Sequence, residues 1–419
     1  MNLGLRYETQ TNIHDPLDFA PRLGLAWAPG GRANNPRPKL VVRAGFGIFY
    51  DRFPLSSTLT AARYNGIVQQ QYVVTNPDFF PNLPSPATLA AFRSGQVIQQ
   101  VSPALRSPYI LQSAVTLERQ LPANTTVAAT YTNSRGFREL RSVDANAPLP
   151  GTYNPAIPDS GTFPLGHPGP LFLMEAPGIF RQNQLSVNVN SKIRPTISLF
   201  GTYVYSRVMS DTDGLGTFPA NPYDLTGEYG PASYDIRHRL NVGGSFNTKW
   251  NVRLSPLIAL QSGAPFDITT GSDLYGTSLF NARPGIAADP SKPGLIQTHY
   301  GLLDPNPSPG EKLISRNFGR GPGQMAVNLR IAKIFSFGAE RKPAKGGGIF
   351  APPAERRYNL TVGLGIRNLL NHRNQGPIIG NITSPLFGQS NTMAGNLNGE
   401  GFSENANNRR LEAQVRLSF

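Results

Sequence analysis

No cysteine occurs anywhere in the 419 residues, which excludes a disulfide framework, a thiolate metal site and a cysteine nucleophile. No run of ~18 apolar residues could cross a bilayer as a helix, and no long amphipathic stretch carries helix caps. A helical membrane protein is therefore excluded. Histidine is scarce: His14, His167, His238, His299 and His372 are scattered, without HExxH or His-x-His spacing, so they point to no metal site. Asp211-Thr212-Asp213-Gly214 opens like a calcium loop, but the later oxygen ligands and closing Glu do not follow, and a polar turn is expected. Gly346-Gly347-Gly348 lacks the Lys-Ser/Thr of a phosphate loop and reads as a flexible turn. Ser233, Asp235 and His238 lie close in sequence, yet alternation along a strand puts His238 on the opposite face, which argues against a triad. No catalytic residue and no cofactor is expected. The formal charge of +14 could attract nucleic acid, but the arginines are spread singly, with no RNP-like or helix-turn-helix pattern, so nucleic acid is not an expected partner.

What the sequence has in quantity is turn residues, 43 Gly and 39 Pro among many Asn, Ser and Thr, between short alternating apolar stretches. That is an all-β pattern. The last ten residues are the clearest case. Leu411, Ala413, Val415, Leu417 and Phe419 share one face and Arg410, Glu412, Gln414, Arg416 and Ser418 the other. An apolar face against lipid gains ~1.5–3 kcal/mol per large side chain, whereas the opposite register would put Arg416 in lipid at ~2–4 kcal/mol. The same alternation recurs at Leu360–Arg367, Val327–Ala332, Arg239–Phe246, Ile197–Tyr205, Leu185–Val189, Val127–Tyr131, Tyr109–Leu117, Leu40–Ile48, Leu23–Trp27 and in the opening strand Asn2–Glu8. We read about twelve strands, each near the ~9–11 residues of a tilted membrane strand.

Connection lengths alternate too. Tight turns are expected at Leu121–Asn124, Arg194–Pro195, Lys249–Asn251 and in the Pro/Gly-rich stretch Pro29–Pro38; long polar connections at 51–107, 139–182, 208–236, 264–324 and 369–408. Counting back from Phe419 as a periplasmic end, every long connection falls outside and every short one inside, as in outer-membrane barrels. Residues 338–356 are long for a periplasmic turn and read as an insertion; a further strand could hide at Ile67–Thr75. The Pro-rich stretches of the first two long connections read as irregular loop. No linker divides the chain, so residues 1–419 are taken as one unit. Met1 leads straight into a strand, with no basic n-region, apolar core or cleavage site, so the expectation is a fragment or a misplaced start, with the true N-terminus upstream.

Several stretches resemble the barrel of Oar-like TonB-dependent transporters. They are Pro21-Arg22-Leu23-Gly24-Leu25-Ala26-Trp27, Val42–Asp51, Tyr234-Asp235-Ile236-Arg237-His238-Arg239-Leu240-Asn241, Gln261–Phe266, Asn368-Leu369-Leu370-Asn371 and the terminal Leu417-Ser418-Phe419. The resemblance covers nearly the whole chain and implies a bacterial outer-membrane location and a barrel of about 22 strands. It also implies an N-terminal plug, and uptake of a ligand with energy relayed by TonB through a box before the plug. Plug and box have no counterpart in these residues, so the chain would be the C-terminal half of such a barrel, reaching TonB only through a region upstream. Phe419 resembles the terminal aromatic by which the barrel-assembly machinery recognises its clients. The alternative is a self-contained twelve-stranded barrel.

The expected fold is thus an antiparallel transmembrane β-barrel, partial, with long external loops and short periplasmic turns. Its partners would be outer-membrane lipid and a bulky ligand: a saccharide, a peptide or a metal chelate. Competing roles are a structural or adhesive outer-membrane barrel and a secreted all-β binding protein. Arg6, Arg43, Arg239, Arg330, Arg367 and Arg416 face inward by alternation and could focus a positive field on an anionic ligand. The blander reading, which we favour, pairs them with wall carboxylates such as Glu8, Glu118 and Glu412. Tyr7, Trp27, Tyr50, Tyr131, Tyr205, Trp250, Phe337 and Phe419 fall near strand ends and suit interfacial girdles.

Overall fold

Period-two alternation lets one face of each strand meet lipid while the other stays wet, and the backbone then needs a neighbour on both sides. The computed structural model, which describes residues 1–29, 38–69, 78–79, 81–85, 87–88, 97–157, 160–340, 356–394 and 408–419, satisfies this with twelve long strands. They are β1 Asn2–Glu8, β2 Asp18–Trp27, β3 Leu40–Tyr50, β4 Tyr109–Leu121, β5 Thr125–Asp144 and β6 Leu171–Arg194. β7 Ile197–Ser210, β8 His238–Asn247, β9 Val252–Gln261, β10 Gln324–Glu340, β11 Arg356–Arg367 and β12 Arg410–Ser418 complete the wall. Each pairs antiparallel with the next in sequence order, and two short strands bring the sheet to 14. Ile98–Val101 runs parallel to the start of β6, and Gly230–Pro231 extends the end of β7. The sheet is open: among the described strands nothing pairs the outer edges of β1 and β12.

The tight turns are where composition put them. Leu121 pairs with Thr125 across Pro122-Ala123-Asn124, where Ala123 and Asn124 take φ of 57° and 49°. Arg194 pairs with Ile197 across Pro195-Thr196, and Asn251 turns the β8–β9 hairpin with φ 57°. The opposite ends of the strands carry the long connections.

Register makes the outer face continuous. One ladder row reads Trp27, Val42, Leu117, Ala129, Val187, Tyr203, Leu240, Leu260 and Met325 across nine successive strands. Leu117 is 48% exposed and Val415 70% exposed, values that a soluble core would not tolerate and a lipid-facing belt requires. The buried clusters lie elsewhere, at the external end. Ile13, Phe53, Leu105 and Met174 form one; Ile268, Leu303, Ile314 and Ile382 a second; Phe180, Val208 and Ala232 a third.

Three expectations need correction. β5, β6 and β10 have 20, 24 and 17 residues, not membrane length, because β5 and β6 continue past the lipid as a tall hairpin; their connection is 145–170, not 139–182. The first long connection contains a nine-residue helix, α1 Leu55–Arg63, opened by Pro54, where irregular loop was expected. Residues Ile67–Gln69 are bends, not strand, and the rest of the suspected strand, 70–75, lies outside the described residues. Most of the 338–356 insertion and of the Pro29–Pro38 turn is likewise outside them.

The two faces make opposite demands on one substitution. Val187→Arg, on the belt, should cost about 2–4 kcal/mol, while Ser186→Arg, one residue away and inward, should be close to neutral. Denaturant titration of the membrane-inserted protein measures both; equal effects would contradict the assigned face.

Candidate functional site

The six inward arginines come from six different strands and do not converge on one point. Arg6 Nε is 2.9 Å from Glu8, Arg43 Nη1 2.6 Å from Glu118, and Arg367 Nη2 3.4 Å from Glu412. Arg330 donates to Gln414 Oε1 at 2.8 Å. Arg239 and Arg416 are exposed, next to Gln261 and Thr361 respectively. Arg330, Arg367 and Arg416 sit on three adjacent strands, Arg6 and Arg43 near the opposite edge. The inner wall is therefore polar and largely self-paired. Phe419 is 85% exposed just beyond β12.

A concave site that sequence reading missed lies in the external cap. A cavity of about 690 Å³ opens between connections 145–170, 211–237 and 262–323. Its size is that of a small-molecule site. Tyr153, Tyr223 and Tyr275 supply aromatic walls, and Glu228, Arg283 and Glu311 supply charge. Tyr223 donates to Ala147 O at 2.7 Å, which fixes its ring. Burial, then the negative charge of Asp224, raises the Tyr275 phenol; burial, then Asp144, raises that of Tyr223, so both stay protonated donors at neutral pH. Arg283 and Glu228 form an ion pair with side chains only 4% and 3% exposed. Arg283 also donates to Gly227 O at 2.6 Å, and Glu228 accepts the Ala220 amide at 2.8 Å, so both charges are satisfied within the wall. Glu311 differs: its Oε2 accepts the Ser308 amide at 2.9 Å, but its Oε1 is buried without a hydrogen-bond partner. The cavity thus offers rigid aromatic faces that can stack on a ring, while Glu311 Oε1 is enclosed in the wall against Gly285 and not presented to the cavity.

The cap is tied to itself and to the wall by charges that the sequence had left unassigned. Asp213, from the calcium-like tetrapeptide, accepts Arg316 at 2.6 Å, and Asp211 accepts the Ile179 amide at 2.7 Å, so both carboxylates serve as ties. Asp235, fully buried, accepts the Val208 amide at 2.8 Å, Arg237 at 2.8 Å and Arg320 at 2.9 Å. His238 instead meets the Tyr203 hydroxyl at 2.8 Å, so Asp235 and His238 serve different partners. A Cβ on Gly263 would run into the Gly321 carbonyl, which accounts for glycine at that close approach.

Lys292 organises the fourth connection. It donates to Asp304, to Asn306 O at 3.0 Å and to Ser308 Oγ at 3.0 Å, and lies 3.5 Å from Glu311. Burial pushes the Asp304 carboxyl up, but Lys292 and the Asn306 amide outweigh it and hold the pKa below its ordinary 3.8. Lys292 is raised above its ordinary 10.5, first by its hydrogen bond to Asp304. A depressed acid stabilises above its unfolded pKa and loses this as pH falls through the folded one; a raised amine stabilises fully below its unfolded pKa and loses this as pH rises through the folded one. Protection of the Ala287 amide, which donates to Leu302 O in this region, should therefore be flat through neutral pH. It should drop below pH 3.8 and again above 10.5. Hydrogen exchange by mass spectrometry checks this, and unchanged protection factors at both extremes would remove Lys292 from its organising role.

No curated protein sequence matches the chain. Among solved structures, the outer membrane transporter YddB of Escherichia coli is 12% identical and superposes over 88% of this chain and 39% of its own, with a TM-score of 0.50. A ferric enterobactin receptor of Pseudomonas aeruginosa is 10% identical over 99% of this chain and 41% of its own, TM-score 0.45. The siderophore receptor PirA of the same organism is 12% identical over 88% and 42%, TM-score 0.41. The chain spans about two fifths of the length of these proteins. The likeness to YddB is one of fold. The profile described as "Outer membrane beta barrel domain" matches residues 6–399, nearly the whole chain, and together with the lipid-facing belt this makes the protein a member of the outer membrane beta barrel domain family, resident in the bacterial outer membrane.

Proposed function

We propose that residues 1–419 form one unit, the C-terminal part of the barrel of a TonB-dependent transporter of the Oar-like kind, taking up a bulky ligand such as a saccharide, peptide or metal chelate. The observation that carries this reading is the division of the molecule. A lipid-facing belt surrounds a polar, arginine-bearing inner wall, and above it stands a folded cap with a cavity of about 690 Å³. A merely structural barrel needs the belt but not the cavity. Ligand would first meet Tyr153, Tyr223 and Tyr275, then pass the inner wall, where Arg239 and Arg416 are exposed. Energy from TonB would reach the barrel through a plug and box upstream of these strands, and Phe419 would serve the assembly machinery. The fold shared with the outer membrane transporter YddB supports a transport role without choosing the ligand.

Deleting the gene in its host and following three labelled probes, a ferric siderophore, an oligosaccharide and a peptide, tests the proposal. At least one probe should fall to background on deletion and equally on adding a protonophore to the parent strain. Uptake indifferent to deletion for all three would sink the transport reading; uptake that survives the protonophore would leave a passive pore.

A further inference from the structure

The outer face carries polar residues where the tall hairpin leaves the lipid, and they are of one sign. One ladder row begins on the belt as Leu3, Leu23 and Phe46 and continues as Ser113, Asn133, Asn183 and Arg207. It passes from lipid to a polar layer as the tilted strands rise. In the next row up, Arg135 of β5 and Arg181 of β6 stand directly opposite each other, and Arg207 of β7 is diagonal to Arg181. All three are exposed, while the inward residues between them, Ser134, Ser206 and Val208, are buried, so the arginines point outward. None of the three guanidinium groups has a hydrogen-bond or ion-pair partner among the described residues. Like charges placed opposite on a sheet repel by up to about 1 kcal/mol, so an anion over them is favoured.

Asn183, at the centre of the patch, strengthens the case. Its Oδ1 accepts both the Tyr131 hydroxyl and the Asn133 amide, each at 2.8 Å, which turns its NH2 out as a further donor. Directly below runs the aromatic rim of the belt, Tyr131, Leu185, Tyr205 and His238 in one row. The patch thus sits one to two rows above the aromatic rim, at headgroup height, and its charged groups are guanidinium donors. Forked guanidinium donors and amide N–H groups around an exposed pocket of positive charge fit phosphate oxygens.

We propose that Arg135, Arg181, Arg207 and Asn183 bind the phosphate group of an outer-leaflet glycolipid whose acyl chains pack on the belt beneath. The occupant is a membrane lipid, not free phosphate, because the site opens sideways above the belt and not into the cap or the lumen. This inference rests on the outer-membrane location alone and is independent of the ligand the barrel transports.

The test uses protein extracted from outer membranes in mild detergent and native mass spectrometry with lipid A as probe. Bound lipid A should be retained by the parent protein and weakened about a hundredfold in the combined R135Q/R181Q/R207Q variant. The combined R135K/R181K/R207K variant should retain most of the binding. Binding of dephosphorylated lipid A equal to that of lipid A would overturn phosphate recognition, and displacement of lipid A by inorganic phosphate would overturn the lipid as occupant. Unchanged binding in the glutamine variant would overturn the site itself. Should the triple variant not fold, Arg207→Gln alone, which leaves the Arg135–Arg181 pair in place, should still weaken binding about fivefold, and no change would overturn the proposal.

Discussion

A backbone amide inside a hydrocarbon layer has no water to turn to, so each must be answered by a neighbouring strand. Everything else in this wall follows from that. Strand after strand pairs with its sequence neighbour from β1 to β12, and the short turns that make this possible put Asn251 and the Ala123-Asn124 pair in left-handed conformations. The rule also bears on the two free edges. Alternate residues of the seven-residue β1 and the nine-residue β12 present backbone groups at membrane depth that no described strand answers and that lipid will not satisfy. In the membrane each edge therefore has to meet another strand.

The wall and the cap are built on different physics. In the wall, apolar side chains gain from facing lipid, so Leu25, Leu117 and Leu411 are exposed where a soluble protein would bury them. In the cap, connections surrounded by water must make their own interior, and it is there that Ile268, Leu303 and Ile314 are buried and that charges such as Asp235 and Arg283 are enclosed and paired. Burying those charges is costly unless every partner is present. That cost makes the cap specific about its own geometry, and the cavity among Tyr153, Tyr223 and Tyr275 is a product of that geometry.

The same contrast decides what could be read from the residues. Lipid enforces alternation, so the strands, the faces of Arg6, Arg43 and Arg367 and the nearness of Glu8, Glu118 and Glu412 were all legible: a carboxylate two residues along or across a ladder is a local matter. Where β5 and β6 rise above the lipid, alternation is no longer enforced on the outer face. Arg181 then reads as part of the connection 139–182, and Asn133, Arg135 and Asn183 fall outside the alternating stretches, although all four are strand. The cavity was illegible for another reason. Its wall draws on three connections, with lining residues from Pro148 to Ser315, and no spacing within one segment announces such a meeting. Asp235 and Gly263 were noticed as parts of the stretches that carry the family resemblance, but only the fold brings Arg320 between them, donating to Asp235 O at 2.6 Å and Gly263 O at 3.2 Å.

The ladder row from Trp27 to Met325 fixes how the wall stands in the membrane. Trp27 is the last residue of β2, at the periplasmic rim, whereas Met325 is the second residue of β10, at the external rim, yet both belong to one perpendicular row of the sheet. Eight inter-strand steps of ~4.8 Å carry the row ~38 Å across the sheet. If the strands tilt by ~40°, that row climbs by ~25 Å, which is the height of an outer-membrane apolar belt. Upright strands would give no climb, and Trp27 and Met325 would then lie at one level, which their opposite positions along the strands forbid. The tilt proper to a closed barrel is thus already written into the pairing of these strands, although the sheet they form has two open edges. It also explains why a single row is leucine and phenylalanine at β1 to β3 and asparagine and arginine at β5 to β7: the residues follow the height of the row, not its place in the sheet.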